Sequence, residues 1–377
     1  PTRRSSDHTH NEGNDIVVHL PDREAADDIS DQVATAHEQP ADDLDDENQL
    51  LATGLAQIKA ADSGFTRQGF LEGAVGAFEI IIEAFAQGDA DRLGELLDDD
   101  DIDAVYIPLP PSLHKEWTIA AANKGKHVLC EKPMALNSGE VEEMIAACRG
   151  NNVQLMDGVM WVHHPRANDM RKILTDGSLG KLRRLTSAFS FHWDEIPHGD
   201  LRLSRELGGG SLLDLGWYCV RAALWAFGEL PTRVSGFADW YNDVDMSFSG
   251  LMWFSENRVA SFDCAFDTLA RRWVEVTGTH GSVVCDEIVM TWNADKPRFW
   301  VHGDEGASVE HVSSTVIQEV CMIEDFVQCV RNAVPDLRWP NETLATQRVC
   351  DALLESARNG SVVEVNSEGI DNSLLAT

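Results

Sequence analysis

The chain has no long hydrophobic run, no closely spaced cysteine pair and comparatively few basic residues. No stretch approaches the roughly 20 apolar residues of a membrane-spanning helix. The eight cysteines include no CxxC pair, which favours reduced, mostly buried thiols in a reducing cytosol. The chain has only 30 basic residues and 63 acidic ones, and its formal charge of -33 disfavours nucleic acid and anionic membranes as partners.

These absences favour small-molecule chemistry in the cytoplasm. A content of 43% apolar and 25% charged residues is ordinary for a soluble, folded protein. We expect no metal site, because His163 and His164 are adjacent, point in different directions and have no nearby Cys or carboxylate to complete a ligand set. Contact with a membrane is expected only if an anchor precedes residue 1.

The N-terminal part divides into two segments of different composition. Residues 1–48 are polar and acidic, with few large apolar side chains to offset the entropy of ordering, and they predict a disordered leader. Residues 49–99 predict a helical segment, because apolar side chains such as Phe70, Ala74 and Phe85 recur at helical spacing.

From residue 100 the pattern changes to short apolar strands that alternate with helices. Strands are expected at 103–108 and 125–130, with a helix at 114–124 between them, and this order implies a parallel pair. A further helix and strand complete the segment 100–157. We therefore predict an α/β fold that begins with a partial Rossmann-like sheet.

The region 158–365 predicts a second α/β domain with a large, mostly antiparallel open sheet. Helices are expected to cover one face of the sheet, and residues 366–377 form a tail. The strands are predicted at 184–191, 233–240, 247–254, 258–266, 273–278 and 282–285, and the helices at 206–227, 316–332 and 341–358.

Two motifs carry the chemistry: Glu131-Lys132-Pro133 after an apolar strand, and the glycine-rich segment 208–218 that contains Asp214 and Tyr218. With these motifs, residues 101–365 resemble the glucose-fructose oxidoreductase, inositol dehydrogenase and MocA (Gfo/Idh/MocA) family. The resemblance implies an NAD(P)-dependent oxidoreductase that transfers hydride between NAD or NADP and a secondary alcohol of a sugar, polyol or related cyclic diol. It also implies a homo-oligomer formed through the C-terminal sheet.

The resemblance implies roles for three residues. Lys132 approaches the substrate oxygen and the nicotinamide, Tyr218 is the acid/base, and Asp214 binds the substrate hydroxyl. A nearby Lys132 ammonium should lower the pKa of the Tyr218 phenol and ease proton acceptance near neutrality. A spacing of four residues should place Asp214 and Tyr218 on one helix face.

The remaining site residues follow from their positions beside these motifs. Asp157 could line the domain junction or cap a strand end, His163 is expected in the substrate pocket or at a domain junction, and Arg202 could contact an anionic or polyol substrate or be a surface charge. The predicted cofactor-binding residues are Pro108, Pro110, His114, Glu131, Lys132 and Pro133, and the predicted substrate-binding residues are Asp157, His163 and Arg202.

The sequence departs from the family at its start. Members open with a strand and a GxGxxG turn, whose glycines let the backbone approach the cofactor pyrophosphate. This chain has no such turn, and the spacing of Gly69, Gly73 and Gly76 indicates helix packing instead. Residues 49–97 resemble the start of a Tim44-like domain, a helical segment linked with inner-membrane proteins, so the acidic run near residue 98 suggests a fusion.

Three functions follow as hypotheses. The first is an oxidoreductase whose cofactor binding is impaired by loss of the phosphate-binding turn. The second is a non-catalytic fusion or remnant that binds a ligand or partner. The third is a membrane-associated interaction module formed by the Tim44-like segment.

Overall fold

The computed structural model describes residues 102–197, 199–289 and 296–375, together with Lys59 and residues 66–68. The chain divides into two compact units, Pro1–Leu93 and Gly94–Thr377, and the architecture below is that of the second. The predicted leader, nearly all of the helical segment and the suggested join lie outside the described residues.

A small parallel sheet opens the described chain. Its strands are β1 (Ala104–Ile107), β2 (His127–Cys130) and β3 (Leu155–Asp157), in that spatial order. Helix α1 (Pro111–Asn123) connects β1 to β2, and α2 (Ser138–Gly150) connects β2 to β3. Both pairs are parallel, which confirms the predicted Rossmann-like arrangement.

Local sequence explains where these helices begin. Proline fits the first helical turn, which has no need of its missing N–H, and Pro111 stands there in α1. The Asn137 side chain accepts a hydrogen bond from the Glu140 backbone N–H and caps α2. The carboxyl ends of β1 and β2 consequently run into short loops on one edge of the sheet.

The second sheet contains nine strands among the described residues. Their spatial order is β11-β10-β9-β8-β4-β7-β6-β5-β12, and all neighbours are antiparallel except β4 and β7. The strands are β4 (Arg184–His192), β5 (Arg233–Tyr241), β6 (Val244–Trp253), β7 (Val259–Ala265), β8 (Asp267–Thr277), β9 (Gly281–Cys285), β10 (Arg298–Gly303), β11 (Ser308–Val312) and β12 (Val363–Glu364).

Helices pack between the two sheets and join them into one core. The helices of this region are α3 (Pro165–Thr175), α4 (Trp217–Phe227), α5 (Gln318–Val330) and α6 (Arg338–Asn359). Helix α6 contacts both β3 and β5, and α4 contacts α6 and β4. Trp217 and Phe248 are buried here, and full burial of one such side chain contributes about 1.5–3 kcal/mol.

In the described part of the chain, no helix is long and apolar enough to cross a membrane.

Candidate active site

Lys132 lies at the carboxyl edge of the small sheet and reaches the second domain. It follows β2 by two residues, and the Lys132–Pro133 peptide bond is cis. Its Nζ donates to Asp214 Oδ1 over 2.7 Å and to the Asp214 carbonyl oxygen over 2.9 Å. An ammonium has three donors, so these two bonds leave one N–H for another acceptor.

The glycine run forms a tight approach beside this lysine. Gly210 has φ +113° and its backbone N–H donates to the Arg202 carbonyl oxygen over 2.9 Å. A Cβ on Gly209 would collide with the same carbonyl group, so only glycine permits this contact. The predicted helix 206–227 begins later than expected, because residues 206–210 form a turn, and a π-helical segment, Leu212–Gly216, precedes α4.

Asp214 receives hydrogen bonds from two cations. Besides Lys132, Arg202 donates from Nε to Asp214 Oδ2 over 2.8 Å. Burial raises the pKa of this carboxyl group, but the charges of Lys132 and Arg202 lower it more, and the net shift is downward. Asp214 is thus ionised at neutral pH and cannot act as a proton donor there.

Burial and the surrounding charges determine the state of Lys132 as well. Burial lowers the pKa of the ammonium, but Asp214 and the neighbouring acidic groups raise it, and the net shift is upward. Lys132 therefore carries its positive charge at neutral pH. A fixed cation at this place can stabilise negative charge that develops on a substrate oxygen.

Tyr218 lies on the other side of Lys132. The ammonium is 4.9 Å from the centre of the phenol ring, so the expected shared location of Lys132, Asp214 and Tyr218 is observed. The Tyr218 hydroxyl is 3.9 Å from Met160 Sδ, a weak acceptor. The hydroxyl proton is consequently not engaged by a strong acceptor among the described residues.

The expected direction of the Tyr218 pKa shift was wrong. Burial raises the pKa to about 12, although Lys132 lowers it, and the carboxylates of Glu131, Asp214 and Asp157 add to the increase. The lysine acts in the direction that its charge requires, but desolvation of the phenolate outweighs it. Tyr218 is therefore a protonated phenol at neutral pH.

The predicted cofactor-binding residues line the loops after β1 and β2. His114 Nε2 lies 2.6 Å from the Leu109 carbonyl oxygen and its Nδ1 lies 3.0 Å from the Pro133 carbonyl oxygen. Burial lowers the pKa of His114, and a neutral imidazole has one N–H, so it donates to one carbonyl at a time. His114 thereby connects the Pro108–Pro110 loop to the Lys132 loop from within the fold.

Glu131 joins this edge through a residue that sequence reasoning missed. The Tyr106 hydroxyl donates to Glu131 Oε1 over 2.7 Å, and the Lys132 backbone N–H lies 3.1 Å from Oε2. Burial and the Glu131 carboxylate raise the pKa of Tyr106. Tyr106 lies within the predicted strand 103–108, and no local motif indicated this bond between β1 and the loop after β2.

Of the three predicted substrate-binding residues, the structure brings only Arg202 to this cluster. Asp157 is buried and paired with Arg221. His163 donates from Nδ1 to Asp325 Oδ2 over 2.7 Å and stacks on Trp339, with the ring centres 4.4 Å apart. Substrate binding by Asp157 and His163 stays a prediction that this geometry does not favour, because both side chains are buried and each is already paired with a charged side chain. Asp157 Oδ1 and His163 Nε2 have no hydrogen-bond partner among the described residues.

Two further residues support the site and were not predicted. Arg221 is on α4, three residues after Tyr218, and Asp245 on β6 accepts hydrogen bonds from Ser211 and Leu212. The sequence signal that could have identified Arg221 is its position as a single arginine in the otherwise apolar helix sequence 217–227. Within the described residues, no group of three or more His, Cys, Asp or Glu could hold a metal ion.

Two sequence models of one protein family match the chain. The model described as oxidoreductase family, NAD-binding Rossmann fold, matches residues 53–159, and that of the GFO/IDH/MocA C-terminal domain matches residues 167–284. Fold and site thus define a nicotinamide-dependent oxidoreductase with a Rossmann domain and an open-sheet domain. Because the first match begins at residue 53, the comparisons give the Tim44-like resemblance no support.

Individual proteins agree with this class. D-xylose 1-dehydrogenase (NADP(+)) 2 from Haloferax volcanii is 32% identical over 299 residues, which cover 75% of this chain and 90% of the relative. The dTDP-3,4-didehydro-2,6-dideoxy-alpha-D-glucose 3-reductase from Streptomyces antibioticus is 32% identical over 63% of this chain and 72% of its own. The chain belongs to the Gfo/Idh/MocA family, as predicted, and is an NAD(P)-dependent oxidoreductase.

Solved structures support the same assignment. KijD10, a 3-ketoreductase from Actinomadura kijaniata in complex with NADP and TDP-benzene, is similar with a TM-score of 0.65 and 28% identity, over 70% of this chain and 80% of that one. An aldose-aldose oxidoreductase from Caulobacter crescentus has a TM-score of 0.68 and 27% identity, over 73% and 83% of the two chains.

The described residues fit the nicotinamide end of such a cofactor. The carboxyl ends of β1, β2 and β3 lie side by side, which is where doubly wound sheets bind dinucleotides. Glu131 and Lys132 supply a carboxylate and an ammonium at this edge. The part of the Rossmann match before residue 102 lies almost entirely outside the described residues, so the missing GxGxxG turn stays a sequence observation.

Proposed function

We propose that the chain transfers hydride between a nicotinamide cofactor and a secondary alcohol or ketone of a sugar or sugar-like molecule. The observation that carries the proposal is the contact of Lys132 with both Asp214 and Tyr218 across the two domains. The names of two relatives, a D-xylose dehydrogenase and a reductase of a dTDP-linked keto sugar, support a carbohydrate substrate.

Each of the three residues has a distinct part in this reaction. Lys132 offers its remaining N–H to the substrate oxygen and stabilises negative charge there. Asp214 keeps Lys132 charged and fixes its direction through the 2.7 Å ion pair. Tyr218 exchanges a proton with the same oxygen. A bound nicotinamide supplies the hydride donor or acceptor.

The protonation states favour reduction of a ketone near neutral pH. Lys132 is an ammonium, Asp214 is a carboxylate, and burial keeps Tyr218 protonated. A ketone oxygen can therefore take the proton of Tyr218 directly. Oxidation of an alcohol needs the phenolate of Tyr218, which is the minor form until the pH approaches its pKa.

The proposed cofactor is NADP(H) in preference to NAD(H). The xylose dehydrogenase is named for NADP(+), and the KijD10 structure is a complex with NADP. The residues that would contact the adenosine end precede those that the structure describes. Titration of the purified chain with NADPH and NADH, followed by tryptophan fluorescence, tests this preference directly.

We further propose a cytoplasmic homo-oligomer that associates through the open sheet. Phe237 on β5 and Leu269 on β8 are 74% and 80% exposed, and exposed apolar side chains on a sheet face are typical of association surfaces. Sedimentation of wild type and of Phe237→Ser tests this: a lighter species for the variant supports the proposal, and identical species contradict it.

Activity assays test the proposed function. NADPH oxidation should be followed with keto sugars, and NADP reduction with D-xylose, polyols and cyclic diols, for wild type and for Lys132→Ala. Turnover that is lost in the variant supports the proposal. Cofactor binding without turnover on any of these substrates, or no cofactor binding at all, favours a remnant that retains the fold alone.

A further inference from the structure

Arg221 makes a buried set of hydrogen bonds behind the active site. Its side chain is 1% exposed and lies on α4, one turn after Tyr218. Nη2 donates to Asp157 Oδ2, Nη1 donates to Glu342 Oε2 over 2.8 Å, and Nε donates to Thr346 Oγ1 over 2.9 Å. One guanidinium therefore joins the helix of Tyr218 to the small sheet and to α6.

The bond to Asp157 leads from this helix to Lys132. Asp157 ends β3 and is in register with Cys130 of β2, and the Gly158 N–H donates to the Cys130 carbonyl oxygen over 2.8 Å. The Glu131 carboxylate rests against Gly158, where an added Cβ would lie 2.9 Å from Oε1. A displacement of Asp157 would thus be passed to Glu131 and its neighbour.

The Arg221–Asp157 pair is a second connection between the two domains, besides the Lys132–Asp214 contact that takes part in the proposed reaction. Lys132 and Asp214 are linked directly, but their side chains are 13% and 19% exposed, so water can replace either partner. Asp157 and Arg221 are each about 1% exposed. A buried charge pair has no water to replace a lost partner, so it keeps its geometry while the accessible pair changes.

We propose that Arg221 and Asp157 are a positioning pair that sets the separation of Lys132 and Tyr218. This inference rests on the proposed function, since the two positioned groups are those assigned to the hydride-transfer reaction. The rival explanation is that Arg221 only attaches α4 to α6 through Glu342 and Thr346. The two explanations differ in which partner of Arg221 matters to the site.

Matched removal of the two carboxylates separates these explanations. Asp157→Ala and Glu342→Ala each take one carboxylate from Arg221, and Asp157→Asn is a milder version that guards against misfolding. Glu310→Ala is the control, because it takes a carboxylate from Lys296 and Arg298 at the β11 edge of the large sheet. Thermal unfolding, NADPH affinity, kcat and KM are measured for every variant.

A second readout does not depend on turnover. Met160 Sδ lies 3.9 Å from the Tyr218 hydroxyl, but Met160 is also only three residues after Asp157. The part of the Met160 methyl shift that is lost when Tyr218→Leu is added to a variant therefore reports the position of the aromatic ring, and this part is the signal that is compared. The chain has nine methionines, and Met160→Leu assigns the signal in a methyl-labelled sample. The resonance is recorded for the same variants in the absence of substrate.

We expect Asp157→Ala to lower kcat about ten- to hundredfold, the effect of a small misplacement of reacting groups. NADPH affinity should change less than about threefold, and the Met160 resonance should move; Asp157→Asn should do the same to a smaller extent. Glu342→Ala should lower the melting temperature but leave kcat within about threefold of wild type and the resonance in place. The control should likewise leave kcat and the resonance unchanged.

Equal effects of Asp157→Ala and Glu342→Ala on kcat and on the resonance overturn the inference, and so does an unmoved resonance in Asp157→Ala. If wild type turns over none of the tested substrates, the proposed function fails by itself. The Met160 resonance then decides alone whether Asp157 positions Tyr218.

Discussion

Asp245 provides a prediction about stability whose size follows from the structure. Its side chain is 2% exposed and accepts hydrogen bonds from the Ser211 hydroxyl over 2.8 Å and from the Leu212 N–H over 2.6 Å. It thereby holds the start of the segment that carries Asp214. Burial raises the pKa of Asp245 to about 6, although these bonds and the charge of Arg358 lower it.

The sign follows from linkage between protonation and folding. Because the pKa in the folded state exceeds the ordinary value of 3.8, protonation of Asp245 stabilises the fold. This contribution is fully present below about pH 4 and is lost as the pH rises through about 6. A shift of about two pKa units, at 1.36 kcal/mol each, makes the buried carboxylate cost about 3 kcal/mol at neutral pH.

Asp245→Asn removes this pH dependence. The Ser211 hydroxyl and the Leu212 N–H both donate to Oδ2, so an amide oxygen in the same place keeps both hydrogen bonds. Relative to wild type, we expect the variant to be about 3 kcal/mol more stable near neutral pH and about equally stable near pH 4. Urea unfolding at matched pH values measures the difference.

The control for this comparison is Asp243→Asn, because Asp243 is exposed at the turn beside Asp245. It removes the same charge without changing a buried group, so its difference from wild type should be small and nearly independent of pH. A constant difference between Asp245→Asn and wild type across the pH range would refute the reasoning. So would a variant that loses stability relative to wild type as the pH rises.

Three further predictions concern activity. Tyr218→Phe should lower kcat by about 10²–10⁴ with little change in NADPH affinity, because only the proton donor is removed; binding and steady-state assays measure both. Lys132→Met should lower kcat for ketone reduction by about 10²–10³, because an apolar side chain cannot stabilise charge on the substrate oxygen. The rate of reduction should vary little near neutral pH, whereas oxidation should keep accelerating toward the Tyr218 pKa of about 12.

Each of these predictions has a control or an outcome that would contradict it. A kcat of Tyr218→Phe within about threefold of wild type would contradict the first prediction. Phe189→Leu is its control, because Phe189 packs against the Tyr218 ring. An unchanged kcat in Lys132→Met would contradict the second prediction. Lys115→Met is its control, because Lys115 belongs to an accessible pair with Glu140 and its loss should leave kcat unchanged. For the pH profile, the contradicting outcome is a plateau in oxidation near neutral pH.

The small sheet was predictable because its signals are local. Short apolar strands such as β1 and β2 end at Pro, Asp or Gly signals and alternate with helices, so their order alone specifies parallel pairs. In the second domain the six predicted strands are present, but β10, β11 and β12 were missed. Strands β10 and β11 are mostly accessible and carry no clean alternation, and β12 has only two residues.

The spatial order of the large sheet was beyond sequence reasoning for a different reason. Strand β4 lies between β7 and β8, although long segments separate it from both in the chain. Side-chain periodicity states which face of a strand is buried but not which strand is its neighbour. Pairing at this range depends on packing of the whole domain, which no local pattern contains.

The three aspartates around the site show the same limit in its electrostatics. Asp214 was found through its motif, and two cations keep it ionised. The neighbours of Asp245 are neutral hydrogen-bond donors, so burial raises its pKa instead. Asp157 has a guanidinium partner from another domain. The sequence pointed to Asp214 and Asp157 but not to Asp245, and the part that each carboxyl group plays depends on partners that only folding brings near.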